Sequence, residues 1–461
     1  MSNPTTFRVR LSVAVSAAIG ALGAALLSAA VLVPLTNAAY ADAEYARLDL
    51  VVGAVPIDDV EIVKLAGGSD HVLALAADGT VYSWGYNTSG QLGLGDTTIR
   101  TTAQKVTALS GRQIVDIAAG AYNSFFLDSD GTVHAVGQGT YGSLGQGNQA
   151  ISLTIVTVPI PEPVASLAAY RNVAGAVTRS GNVWAWGENF NGAAGYTNGA
   201  TFSSTPLKLN VEHVRQVSFG YHSGIAVTED GRVYTWGRNT DGELGAGFSG
   251  AGTSAVEGST GAHIVANGNQ PGFYAIAPGA AAVGGVFPAV TGVRAVNAGF
   301  TTMSLILDDG RLYTWGREDS GELGNGGVAN EVGPNRPTRI ALNITNALRY
   351  LGTGFNNWGV LTEDGHIFMW GNPQSNGGNA EGSDAGTVLV APTASTVLLG
   401  PYREALNVQR EGTSNAVLAV SADGTIVSGV GSRQYGKLAD GHTSPPATTS
   451  PAVWTKPNPA G

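Results

Sequence analysis

The feature that most constrains this chain is the Asp78-Gly79 pair, because the unit around it recurs. His71-Val72-Leu73-Ala74-Leu75 precedes the pair. Val81-Tyr82-Ser83-Trp84-Gly85 and then Gly90-Gln91-Leu92-Gly93 follow it. Two short apolar runs around residues that tolerate positive φ predict a hairpin. The equivalent turn glycines are Gly79, Gly131, Gly181, Gly231, Gly310, Gly365 and Gly424. The first four lie 50 to 52 residues apart, and the last two intervals are 55 and 59. The 79-residue interval from Gly231 to Gly310 must hold an insertion. Asp precedes six of these glycines and Ser180 the seventh.

The run after each turn alternates, as in Val233-Tyr234-Thr235-Trp236-Gly237, so successive side chains face opposite ways along a strand. A further strand precedes each pair, for example Ile114-Val115-Asp116-Ile117 and Val214-Arg215-Gln216-Val217. A fourth is expected after the Gly-x-Leu-Gly loop, where Pro206-Leu207-Lys208-Leu209 and Pro337-Thr338-Arg339-Ile340 suit an edge strand. Seven units of about four strands cannot each bury both faces alone, which predicts a seven-bladed all-β propeller over 61–453. A linear β-solenoid is the alternative, but its repeats are shorter. Trp84, Trp186, Trp236, Trp315 and Trp370 recur at one strand position and are expected to pack between blades. Repeats two and seven carry Val136 and Val430 there.

Composition narrows the chemistry. The chain has no cysteine, which excludes disulfides and thiolate sites. Its net charge of −10 argues against a protein that tracks nucleic-acid phosphates. There is no phosphate-binding glycine loop and no Gly-x-Ser-x-Gly elbow. The seven histidines fall at unrelated repeat positions with no i, i+4 pair to hold zinc. Asp128-Ser129-Asp130-Gly131 opens like a calcium loop but lacks the completing Glu, and it falls on a repeat turn. A monomer with no catalytic residue, cofactor or metal is expected.

Arg8 and Arg10 precede a run from Val13 to Val33 interrupted by only two polar residues, Ser16 and Ser28. With Ala39-Tyr40-Ala41 after it, residues 1–41 read as a secretory signal. Cleavage would remove both arginines and take the charge from −10 to −12. The same run is long enough to span a bilayer, so an uncleaved anchor is the rival reading and the only route to a membrane. Residues 42–60 read as a linker and 454–461 as a Pro-rich tail. Either way the bulk of the chain is expected outside the cytoplasm, secreted or at the cell surface.

Two features bear on binding. The insertion, at about 248–288, is rich in Gly, Ala and Ser and reads as a flexible excursion or a binding loop. It carries Phe273-Tyr274-Ala275-Ile276, which could form a small strand. At or beside the turn between the first two strands of each unit stand Tyr122, Tyr170, Tyr221, Phe300 and Phe355. Equivalent turns of a propeller share one face, so these aromatics are expected to ring the channel mouth as partner-binding residues. Packing on the neighbouring blade is the competing role. Ser69 and Asp70 leave a polar gap in that ring.

Gly68 to Leu75, Asp78 to Gly85 and Gly90 to Gly93 together resemble the repeat of the regulator of chromosome condensation family. The resemblance implies a seven-bladed propeller. The family's His is kept only at His71, with Asn123, Val173, Ser223, Thr302, Asn357 and Asn415 read at its equivalents. The Gly-Gln-Leu-Gly loop decays in repeats three, six and seven, where looser loops are expected. The preferred functional reading is an exported, non-enzymatic module that binds a protein or cell-envelope partner. The resemblance also implies two alternatives: guanine-nucleotide exchange on a Ran-like GTPase, or enzyme inhibition of the β-lactamase-inhibitor kind. A hydrolase or lyase on the central face finds no clustered acid, base or metal set.

Overall fold

The computed structural model describes residues 60–196, 199–245, 292–318, 321–324, 344, 346–352, 357–371, 401–410, 414–424 and 426–431, with short strands at 274–276, 281–282, 285–286, 338–339, 389–394 and 452–455. Residues 1–59 and 456–461 lie outside these, and with them the expected leader or anchor, nearly all of the expected linker and most of the expected tail. No helix among the described residues is long and apolar enough to cross a membrane.

The described residues form seven four-stranded antiparallel sheets and one two-stranded hairpin. Sheet one comprises Ile62–Gly67, His71–Ala76, Val81–Gly85 and Arg100–Lys105, paired in that order. Every sheet repeats this sequential order, so each is complete within one contiguous stretch. The first strands of the other six are Ile114–Ala119, Val164–Tyr170, Val214–Phe219, Val293–Ala298, Ala347–Tyr350 and Tyr402–Arg410. Within the insertion, Tyr274–Ile276 pairs with Val233–Thr235 and supplies the fourth strand of sheet four. The outer strand of sheet seven, Ala452–Thr455, runs two residues past the boundary expected at 453.

The turns differ from the expected geometry in one respect. Of each Asp-Gly pair only the glycine has positive φ, 82° at Gly79 and 92° at Gly131. Its N–H returns to the carbonyl three residues back, Gly79 to Ala76 and Gly131 to Asp128. Asp serves instead as a side-chain acceptor: Asp78 takes the Thr80 N–H, and Asp230 and Asp364 take the hydroxyls of Thr228 and Thr362. In repeat seven the register places Ala416, rather than Asn415, opposite the strand-ending Gly431, because one extra residue separates that glycine from Gly424.

Consecutive sheets are joined by a repeated contact. The turn-glycine carbonyl accepts the first N–H of the next first strand: Gly131 from Val164, Gly181 from Val214, Gly310 from Ala347 and Gly365 from Tyr402, at 2.9–3.0 Å. The space is tight, since a Cβ on Gly131 would lie 2.9 Å from Pro163 Cα. The same bond, Ile62 N to Gly424 O at 2.9 Å, links sheet seven to sheet one. Arg403 reinforces that junction by donating to Glu61 and to the Ile62 carbonyl. Side chains on the first strands also cross between neighbours, as in Lys64–Asp116 and Arg349–Glu404.

The core lies between sheets. Trp84, Trp186, Trp236, Trp315 and Trp370 are all buried. Four of them donate through Nε1 to the loop of the preceding sheet: Trp186 to Ser143 O, Trp236 to Ala193 O, Trp315 to Glu243 O and Trp370 to Glu322 O, at 2.8–2.9 Å. Each acceptor occupies the Gln91 position of the Gly-x-Leu-Gly loop. Where repeat two has Val136, the Ser124 hydroxyl donates to Gln91 O at 2.6 Å, and His71 Nε2 meets that hydroxyl at 3.0 Å. The repeat-three loop is not loosened: Asn189 Oδ1 accepts the Ala194 N–H at 3.0 Å, as Asn87 Oδ1 does for Leu92.

Candidate binding face

Antiparallel order puts the turns between first and second strands at the same end as the loops that follow the third strands, and the Asp-Gly hairpins at the other. The expected aromatics therefore share an end, but not one position. Tyr221 and Phe300 directly follow the turn glycines Gly220 and Gly299, and Tyr122 comes one residue later. Tyr170 replaces the glycine itself and closes its strand, paired with Val173. The reversal there falls on Arg171, with φ 50°. Phe355 lies outside the described residues.

These residues gather in sectors rather than an even ring. Tyr221 and Phe300 stack with centroids 4.6 Å apart and planes 12° from parallel. Arg171 Cζ lies 4.0 Å from the Tyr221 ring centre, so a cation caps the stack. His222 flanks it, 4.0 Å from Tyr221 and 5.8 Å from Phe300. Asn191 Nδ2 donates to His222 Nδ1 at 2.6 Å, which leaves the ring proton on Nε2. Burial first, then the charges of Arg238 and Arg171, lowers the His222 pKa to about 4. The ring is therefore neutral at physiological pH. Phe300 is 8% exposed and forms the base of the stack, whereas Tyr221, His222 and Arg171 are half-buried.

In sheets one and two, Tyr122 is paired with Tyr86 at 6.0 Å. Asp70, expected as part of a polar gap, is fully buried and presents nothing to a partner. Tyr86 fills that part of the face instead.

A third aromatic group was not legible from the turn pattern. Tyr141 meets Phe190 edge-on at 5.3 Å and Phe202 at 6.4 Å. Phe190 and Phe202 are 43% and 38% exposed. Tyr141 and Asn191 take positive φ, 57° and 59°, at matching points of their Gly-x-Leu-Gly-type loops. A positive φ at a residue other than glycine is uncommon, and here it recurs at the same loop position.

Charge on this end is organised by a substitution in the same loop. Repeats four and five carry Glu243 and Glu322 where repeat one has Gln91, and each faces an Arg five residues earlier, Arg238 at 2.8 Å and Arg317 at 4.0 Å. Burial, opposed by Arg238, pushes the Glu243 carboxyl up to about 7. At the opposite end, Asp128 is occupied. Its carboxylate accepts the Asp130 and Thr132 N–H groups and pairs with His134 Nε2 at 2.8 Å.

A family model of the RCC1-like domain matches residues 38–340. The chain belongs to that family. Among curated relatives, it is 38% identical over 150 residues to the human E3 ubiquitin-protein ligase HERC2, an alignment covering 29% of this chain and 3% of that protein. It is 40% identical over 107 residues to the Arabidopsis thaliana ultraviolet-B receptor UVR8, covering 23% of each. The chain thus matches only a small part of the length of these relatives. Among solved structures, the RCC1-like fold recurs in Prp20p of Saccharomyces cerevisiae, with a TM-score of 0.64 at 17% identity, covering 86% of this chain and 87% of that one. Human WBSCR16 gives 0.58 at 21%, covering 76% and 84%.

Proposed function

We propose that this RCC1-like chain is an exported, non-enzymatic, seven-bladed propeller that binds a protein or cell-envelope partner through the end bearing the aromatic sectors. The Arg171–Tyr221–Phe300 stack carries the reading. A half-buried tyrosine held flat on a buried ring and capped by a guanidinium is a rigid anchor of the kind that dominates protein contacts. Ring closure is supported by the sheet-seven-to-sheet-one bonds, which match those between other neighbours. Export is supported by the charged start, apolar run and Ala39-Tyr40-Ala41 of residues 1–41.

The test is affinity capture from the producing cell's own envelope and medium, with the native chain and with an Arg171→Ser/Tyr221→Ser/Tyr122→Ser variant. A partner retained by the native chain should be lost by the variant, while an Arg112→Ser control on an exposed loop at the Asp-Gly end keeps it. Retention by the triple variant removes this face from consideration.

A further inference from the structure

We propose that a cavity lined chiefly by sheets five, six and seven binds a small hydroxylated organic anion. The cavity has a volume of about 580 Å³, is lined mostly by the first strands of these sheets, and also meets Leu65 of sheet one and Gln216 of sheet four. That is the size of a small-molecule pocket.

Register explains why it exists. Within six of the sheets, one directly opposed pair on the first and second strands faces the next sheet. In sheets one and two the pair is Ala66–Leu73 and Ala118–Phe125, and in sheets four and seven it is Ser218–Ile225 and Leu406–Leu418. In each of these a large buried apolar residue on the second strand fills the space. Sheet three has Gly175, but the Phe219 ring occupies the place of its side chain. Sheet five instead has Asn297–Ser304, two polar residues where bulk is otherwise supplied.

Neither polar group is satisfied by the described residues. Ser304 is fully buried, and its Oγ and the Asn297 Oδ1 have no hydrogen-bond partner among them. An orphaned buried polar atom is costly, so a paired set aimed into one space implies an occupant. Across the cavity, Arg403 Nε is also buried without a partner among the described residues. The lining holds Arg294, Arg349 and Arg403 against one carboxylate, Glu404. The carboxylates that pair with Arg294 and Arg403, Glu363 and Glu61, are half exposed and not part of the lining. Each of the three arginines thus has one carboxylate partner, and the donor left over is the buried Arg403 Nε–H. That unpartnered guanidinium N–H calls for a carboxylate or phosphate, and Asn297 Oδ1 calls for a hydroxyl donor.

The experiment uses the full chain with gluconate as the carboxylate probe, glucose 6-phosphate as the phosphate probe and glucose as the neutral control. Binding is read by calorimetry and by the shift in melting temperature. Ser304→Leu and Asn297→Ala install residues that other repeats already carry, so both should fold. One of the two anions should bind saturably, glucose at least tenfold more weakly, and both variants should lose binding at least tenfold. Which anion responds identifies the head group. No saturable binding of either anion overturns the proposal, as does binding unchanged in both variants. A Ser304→Leu protein that melts higher while neither probe binds would mean a hydrated void only, and would also overturn it.

Discussion

Replacing Trp236 tests the architecture most directly. Its indole is fully buried between sheets three and four, edge-on to Phe219 at 6.2 Å, and its Nε1 donates to Ala193 O at 2.9 Å. Trp236→Ala removes that volume at a place that cannot close. The indole lies over Gly224, where a Cβ would fall 2.3 Å from the ring, and beside Gly195, where the distance would be 3.1 Å. Two glycines have no side chains to move into the hole, so the loss belongs toward the upper part of the roughly 3–5 kcal/mol range for buried aromatic truncations. Trp236→Phe keeps most of the ring but leaves the Ala193 carbonyl unpaired, at about 1–3 kcal/mol. Equilibrium urea unfolding followed by circular dichroism measures both. The order native, Phe, Ala is expected, with Ala lowest. An Ala variant within about 1 kcal/mol of the native protein would refute inter-sheet packing as the role of the recurring tryptophan.

Three further outcomes are expected. Gly231→Ala should lose about 1–2 kcal/mol from its φ of 82°, since no described residue lies near its Cβ, whereas Gly131→Ala should lose clearly more because it also meets Pro163; urea unfolding compares them. Glu243 has its folded pKa raised by burial to about 7 from an ordinary 4.5, so the stability linked to its proton is full below 4.5 and lost as pH rises through 7; Glu243→Gln should flatten that fall, on the order of 3 kcal/mol, in unfolding curves from pH 4.5 to 8. His71 has the opposite sign: burial lowers it from 6.5 to about 4, so its stabilising contribution is present above 6.5 and lost as pH falls through 4, and His71→Asn should reduce the acid sensitivity of melting in that window. Between about 4.5 and 6.5 the two slopes oppose each other, so the single variants should reveal a dependence that the native chain conceals.

The repeat framework was legible because turn glycines and strand tryptophans answer to local rules. A glycine with positive φ and an indole on an alternating strand leave their mark within a dozen residues. The binding face was only partly legible. The turn pattern found Tyr221 and Phe300 but could not show that Tyr170 takes the glycine position and passes the reversal to Arg171. Phe190 belongs to a loop whose altered residues suggested looseness, and Phe202 opens the strand that follows, whereas the Asn189 side chain keeps the loop's shape. His134 could not be matched to Asp128 from the sequence, because a strand pairing decides which side chains meet across a hairpin. The Asn297–Ser304 pair was hidden for the same reason. Neither residue is unusual until the register sets them opposite each other and beside the bulky pairs of other sheets.

The junction between sheets seven and one has a mechanical consequence. Sheets that follow each other in sequence are also tethered by the chain itself, so a lost contact there is a short excursion that the backbone soon reverses. Among the described residues, sheets seven and one are held by the Gly424–Ile62 bond, the Arg403 contacts and an apolar layer that includes Val72, Val408 and Leu418. Separation at that seam closes no loop and strains no connection. It is the natural zipper end of the molecule, where pulling, heating or proteolysis should first find an edge.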